Sequence, residues 1–205
     1  MQLSGIYAIT ENAVDSDLNL VQKVQQALEG GISLLQYRSK SADRDSKLRS
    51  AVALRQICAD YQVPLIINDD VELCLAAGAS GVHLGQRDGD IQQAVQALGP
   101  GHIVGVTCHD SIPVALKAQR QGATYVAFGR FYSSPTKPEA PPAPLAVLTA
   151  AKTKLAIPVV AIGGINAENG QAAIEAGADM LAVISYLFSA DDIQQRAQRL
   201  SELFK

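Results

Sequence analysis

Four stretches of the chain close a helix and enter a strand with nearly the same phrase: EGGISLLQ, AGASGVHL, QGATYVAF and AGADMLAV. The aligned glycines are Gly30, Gly78, Gly122 and Gly177. Glycine at that point suits the left-handed residue that ends a helix and turns the chain back. The phrase recurs before the second, fourth, sixth and eighth of eight apolar runs, so the chain reads as four copies of a double βα unit. Such a repeat excludes all-helical and all-β folds and demands a parallel sheet with helical crossovers.

The spacing predicts strands over 5–10, 33–38, 64–69, 81–85, 102–107, 125–129, 158–163 and 180–185. The runs LIIN, IVGV, VVAI and LAVI are apolar at nearly every position, the pattern of strands covered on both faces. Helices are predicted over 18–28, 43–61, 71–77, 90–98, 112–121, 145–155, 167–176 and 191–204. Ser189 is expected to cap the last of these, with Asp192 three residues on as a variant capping box. Eight βα units in 205 residues predict one α/β domain over 1–205, a (β/α)8 TIM barrel near its lower size limit. An open doubly wound sheet is the competing architecture, but no GxGxxG follows the first strand. The one long irregular stretch, 130–144, carries Pro135, Pro138, Pro141, Pro142 and Pro144.

Composition narrows the function. The formal charge is −3, from 17 Lys plus Arg against 20 Asp plus Glu, where a nucleic-acid binder carries a basic surface. Trp is absent and aromatic residues make up 5%, so base stacking is not expected. No apolar run is long enough to cross a bilayer and the first residues lack the pattern of a secretory signal, so a cytoplasmic location is expected. Cys58, Cys74 and Cys108 are odd in number and lack CxxC spacing, which reads as reduced thiols and not a disulfide or zinc frame.

In a barrel of this kind function sits at the C-terminal strand ends. Those ends read Gln36-Tyr37-Arg38-Ser39-Lys40, Asn68-Asp69-Asp70, His83 to Asp88, Thr107-Cys108-His109, Ser133 to Lys137, Gly163-Gly164 and Ile184-Ser185. Asp69 and Asp88 fall on neighbouring strand ends, an oxygen-rich pair suited to Mg²⁺. An Asp at this place also serves to cap the next helix, and Asp70 is the better placed of the two for that. Gln36, Arg38 and Lys40 alternate and so share one direction along a strand. Two cations and an amide opposite two acids fit a diphosphate held by metal and side chains together. A solvated strand end with a surface ion pair is the plainer reading of the same residues. Gly163-Gly164 followed by Ile184-Ser185 matches the phosphate site frequent after strands seven and eight, or else a turn that needs glycine. Ser134, Thr136 and Lys137 fit an anion-closing lid or an ordinary proline-rich loop. His83 is expected to be a satisfied buried histidine, His102 to start a strand, and His109 and Cys108 to lie near the rim.

LLQYRSK, PLIINDDVELCLAAGASGVHLGQRD, GATYVAFGRFYSSPTK, IPVVAIGGI and AGADMLAVIS together resemble the thiamine-phosphate synthase family over nearly the whole chain. The combination Q-x-R-x-K, N-D, H-L-G-Q-x-D and S/T-x-T-K in this order is specific where no single piece is. The resemblance implies a transferase (EC 2.5.1.3) that condenses 4-amino-2-methyl-5-(diphosphooxymethyl)pyrimidine with a carboxythiazole phosphate to give thiamine phosphate, diphosphate and CO2. It implies that Gln36, Tyr37, Arg38, Ser39 and Lys40 hold the pyrimidine diphosphate, with Arg38 and Lys40 on its phosphates. Asn68 and Thr107 join them, Thr107 standing where the family usually has Ser. Asp69 and Asp88 would bind one Mg²⁺ per subunit. Ser134, Pro135 and Thr136 would meet the thiazole, Lys137 the diphosphate, and Gly164, Ile184 and Ser185 the thiazole phosphate. Arg38, Lys40 and Lys137 would be the catalytic cations, neutralising the leaving group. Arg130 departs from a proline common after the strand-six glycine. The implied partners are small phosphorylated molecules, without nucleic acid or membrane, and a homo-oligomer stays open. The alternatives are a thiazole tautomerase of the same superfamily, in which a base such as His109 would matter, and a non-catalytic barrel that binds a phosphorylated ligand.

Overall fold

Continuous apolar runs can be buried on both faces only inside a layer of helices, and the chain satisfies this by closing its sheet on itself. The computed structural model describes residues 3–11, 17–41, 43–133 and 142–205. Eight parallel strands form the barrel: β1 (Gly5–Ile9), β2 (Leu34–Tyr37), β3 (Leu65–Asn68), β4 (Gly81–Leu84), β5 (Ile103–His109), β6 (Tyr125–Phe128), β7 (Val159–Ile162) and β8 (Met180–Val183). Each pairs with the next, and β1 closes the ring against β8 through Gly5↔Met180 and Tyr7↔Ala182. Between them run α1 (Asp17–Glu29), α2 (Arg44–Asp60), α3 (Val71–Ala77), α4 (Ile91–Leu98), α5 (Ile112–Arg120), α6 (Ala146–Lys154) and α7 (Gly170–Glu175). A single turn, α8 (Ser185–Phe188), precedes the last helix, α9 (Ile193–Ser201).

Side chains alternate strictly about the barrel wall. Ile6, Leu35, Ile67, Val82, Val106 and Phe128 point outward into the core shared with the helices. Tyr7, Leu34, Ile66, Tyr125, Val160 and Met180 fill the interior. The interior is apolar towards the strand beginnings and polar towards their C-terminal ends, where Gln36 and His83 are buried.

Local signals set most helix starts. Asp43, Asp70, Asp90 and Ser111 each accept a backbone N–H of the first turn of α2, α3, α4 and α5. Each such cap contributes about 1 kcal/mol. Asp192, not Ser189, caps α9, accepting from the Gln195 amide at 2.8 Å. The expected box fails because α8 lies in between: Ser189 closes that turn and donates its hydroxyl to Glu11 at 2.8 Å. Gly78, Gly122 and Gly177 have positive φ as the repeat predicts, but after α1 it is Gly31 (φ +89) that does so. Gly30 is required for space instead, since a Cβ there would come within 2.3 Å of the Ala197 Cβ.

Three strand boundaries that bear on the site differ from expectation. β8 stops at Val183, so Ser185 opens α8 instead of ending a strand. β5 begins at Ile103 with His102 just outside it, and β2 ends at Tyr37, so Arg38 and Lys40 lie beyond the pleat that was to align them with Gln36.

Candidate active site

The C-terminal ends of the strands surround a cavity of about 180 Å³, lined by Gln36, Arg38, Asn68, His83, Thr107 and His109 on one side and by Arg130, Gly163 and Ile184 on the other. Tyr7 and Ala127 lie at its base. A second cavity of about 160 Å³ adjoins it between the ends of β7 and β8, lined by Gly163, Gly164, Asn166, Ile184, Ser185 and Tyr186. Residues from all eight strands therefore meet at one mouth, as the barrel reading requires.

Arg38 is held there by its backbone. Thr10, buried past the end of β1, accepts the Arg38 amide on Oγ1 at 2.9 Å and donates to the Arg38 carbonyl at 3.2 Å. A second stitch joins the Thr10 amide to the Gln36 carbonyl at 2.9 Å. Of the other residues in that stretch, Tyr37 turns its ring into the helix-side core and Lys40 is exposed outside the cavity lining. Ser39 accepts the Ser41 amide at 3.2 Å.

Asp69 takes a left-handed backbone (φ +64), which turns its carboxyl away from the following helix and leaves capping to Asp70. Its side chain meets that of Asp88, reached from the turn after β4. Burial first, and then the Asp88 charge and hydrogen bond, push the Asp69 carboxyl up to about 6, against the opposing pull of Asn68 and the Gly85 amide. Asn68 donates to Asp69 Oδ2 at 2.5 Å, and Asp88 accepts the Gly85 amide at 3.0 Å. Two hard oxygen donors that repel each other are residues that could hold a Mg²⁺ ion, which would relieve that repulsion. Among the described residues no group of three or more acidic, His or Cys side chains is placed to hold a metal.

On the opposite side backbone amides join the side chains of Arg130, Asn166 and Ser185. Gly163 and Gly164 have φ of +100 and +67, and a Cβ on Gly164 would lie 2.4 Å from the Ser133 carbonyl oxygen. Asn169 clamps this turn by donating to the Gly164 carbonyl at 2.9 Å. Ser185 and Tyr186 stand in the first turn of α8, where amides have no intrahelical acceptor.

The expected residues thus divide. Gln36, Arg38, Asn68 and Thr107 gather at the larger cavity, Gly164, Ile184 and Ser185 at the smaller, and Asp69 meets Asp88 beside them. Ser134, Pro135, Thr136 and Lys137 lie outside the described residues. Cys108 is buried in the helix-side core and burial pushes its thiol up to about 12, which leaves no reactive thiolate at the rim. Thr10, Tyr7, Tyr125 and Asn169 were not foreseen as site residues; the polar residues flanking Q-x-R and G-G give no sign of their partners until the barrel closes.

A closed (β/α)8 barrel with a cation and paired acids on one side of its mouth and a glycine-framed amide cluster on the other belongs to the class built to handle phosphorylated ligands. The thiamine monophosphate synthase family matches residues 6–187, and the chain belongs to that family. It is 48% identical over 204 residues to the thiamine-phosphate synthase of Thioalkalivibrio sulfidiphilus, covering 100% of this chain and 97% of that protein. It is likewise 48% identical over 200 residues to the thiamine-phosphate synthase of Thiobacillus denitrificans, covering 98% and 94%. Among solved structures, the thiamine phosphate pyrophosphorylase of Pyrococcus furiosus superposes with a TM-score of 0.88 at 32% identity, covering 97% of this chain and 94% of that one. The chain is accordingly a transferase of the thiamine-phosphate synthase class.

Proposed function

We propose that the chain joins the pyrimidine diphosphate to the carboxythiazole phosphate: the bond from the pyrimidine methylene to diphosphate oxygen breaks first, and the thiazole nitrogen then bonds to that carbon. The thiazole carboxylate leaves as CO2, and the products are thiamine phosphate and diphosphate. The observation that supports this reading is the adjacency of two cavities with unlike polar linings at one mouth, sharing Gly163 and Ile184 in their walls.

Gln36, Asn68 and Thr107 orient the pyrimidine in the larger cavity, and Arg38 draws the diphosphate to the rim. The Gly164 and Ser185 amides, with Ile184 beside them, take the thiazole phosphate. The two reacting atoms are then held near each other, which removes most of the entropic cost of their encounter. Arg38 and Lys137 neutralise the diphosphate as its charge grows, and an electron-rich aminopyrimidine stabilises the cation left behind, so no nucleophile or strong base is needed. Asp69 and Asp88 would hold a Mg²⁺ ion, which would supply further neutralisation of the diphosphate charge. Ser134, Pro135 and Thr136 complete the thiazole side.

The test is a single-enzyme assay. Purified protein, both substrates and Mg²⁺ are expected to yield thiamine phosphate and diphosphate, and EDTA is expected to abolish product. Folded protein that makes no product but isomerises the thiazole phosphate would replace this reading with the tautomerase, in which His109, at the cavity wall, becomes the base to substitute.

A further inference from the structure

Below the larger cavity a line of hydrogen bonds crosses the barrel interior from β2 to β5. Gln36 Nε2 donates to the Tyr7 hydroxyl at 2.5 Å. The Tyr7 and Tyr125 hydroxyls are 2.7 Å apart, Tyr125 lies 2.8 Å from His83 Nδ1, and His83 Nε2 lies 2.8 Å from Thr107 Oγ1. Tyr7 and Tyr125 are 1% and 0% exposed. Their space is reserved: a Cβ on Gly105, beside Tyr125 in the register, would come within 2.0 Å of the phenol ring. Burial holds both phenols well above their ordinary range, so each keeps its single proton.

One proton per link makes the line directional. With Gln36 donating to Tyr7, the Tyr7 hydrogen goes to Tyr125, and the Tyr125 hydrogen goes to His83 Nδ1. A neutral imidazole then carries its proton on Nε2 and donates to Thr107 Oγ1. The two ends therefore present opposite faces to the cavity. Gln36 offers Oε1, an acceptor, for which no partner occurs among the described residues, and Thr107 keeps its own hydrogen to donate. Reversing one end alone leaves two donors or two acceptors facing each other in a buried place, with their hydrogen bond unmade. The ends can reverse only together.

We propose that Tyr7, Tyr125 and His83 are positioning residues that couple recognition at Gln36 to the hydrogen-bond polarity of Thr107. A ligand group that donates to Gln36 sets Thr107 as a donor, and a phosphate oxygen, which can only accept, is then correctly met. The inference rests on the synthase reading above. It extends that reading by one placement: the exocyclic amino group of the pyrimidine against Gln36, with the arm that carries the diphosphate passing Thr107 on its way to Arg38. A pyrimidine with an oxo group in place of the amino group would demand the reversed line and present the wrong group to its own diphosphate. The coupling thus makes the site specific for an aminopyrimidine diphosphate through residues that need not touch it.

The experiment compares kcat/KM for the amino substrate and its oxo analogue in wild type, Tyr7→Phe, Tyr125→Phe and the double variant. The wild type is expected to favour the amino compound at least about a hundredfold, as sites built around a polar group do. Either Phe variant, with the line cut and Gln36 free to turn, is expected to narrow that ratio about tenfold. The double variant is expected to narrow it no further, because one cut already opens the line. If Tyr7→Phe does not fold, Tyr125→Phe carries the same test. A wild type that discriminates, beside variants that lose rate on both compounds alike and keep the ratio within twofold, would show that the hydroxyls serve packing only and would overturn this inference alone. A folded wild type that makes product from neither compound would overturn the synthase reading, and this inference with it.

Discussion

On the β2–β5 side of the mouth the polar groups are side chains: Arg38, Asn68, Asp69, Asp88 and Thr107. On the β7–β8 side no charged side chain lines the smaller cavity: beside Asn166 and Ser185 its polar groups belong to the backbone, framed by Gly163, Gly164 and the first turn of α8. The two sides handle charge differently as a consequence. Side chains can supply full charges and be pushed off their ordinary protonation, as Asp69 is, so that side suits a diphosphate whose charge must change during reaction. Fixed amides supply partial charges that cost no reorganisation, which suits a monophosphate that is only held.

The sharpest way to break the comparison is to neutralise the side-chain half. Asp69→Asn, which a left-handed backbone accepts, is expected to lower kcat/KM about 10²- to 10³-fold. It is also expected to raise the thermal midpoint of the metal-free protein at neutral pH, since the repulsion with Asp88 is gone. The sign follows from linkage. The folded-state carboxyl sits at about 6, above its unfolded value of about 3.9, so its contribution is fully present below about pH 4 and is lost as pH rises through 6. The midpoint of metal-free wild type relative to Asp69→Asn is therefore expected to fall across that window, and Mg²⁺ to restore it at pH 7. A flat difference in a pH series of melting scans would remove the coupling of the two acids.

Disturbing the backbone half is expected to cost less and to act on the other substrate. Gly164→Ala forces a side chain into φ +67 and against the Ser133 carbonyl. KM for the thiazole phosphate is expected to rise about tenfold or more with KM for the pyrimidine diphosphate little changed, the strain being about 1–3 kcal/mol. Equal effects on both constants in initial-rate kinetics would deny that the halves are separate. Thr10→Val removes the hydroxyl that brackets Arg38 and is expected to raise KM for the pyrimidine diphosphate alone, by about three- to tenfold. The smallest effect is expected at Arg44, whose 2.6 Å ion pair with Glu72 is solvent-exposed on both sides. Arg44→Ala should leave activity and melting unchanged, because such pairs contribute little.

The comparison also marks what a linear reading can reach. Glycine at helix ends, buried apolar runs and Asp caps are local, and they gave eight βα units and most boundaries. The meeting of Asp69 with Asp88 was legible because the barrel rule brings consecutive strand ends together, and the gathering of Gly164, Ile184 and Ser185 at one cavity because the ends of β7 and β8 are neighbours in the same way. The Tyr7–Tyr125 bond spans 118 residues and exists only once β1 has closed on β8 and each strand has its register, so nothing near either tyrosine announces it. Arg38 and Lys40 show the converse failure. The period-two argument assumed a strand that stops at Tyr37, and the chain beyond it carries Arg38 to the cavity and Lys40 to the surface.

The division of labour at the mouth is tested most directly by calorimetric titration of each substrate alone, with and without Mg²⁺. Affinity for the pyrimidine diphosphate is expected to fall at least about tenfold when the metal is withheld, and affinity for the thiazole phosphate to stay the same. Metal dependence in both titrations, or in neither, would contradict it.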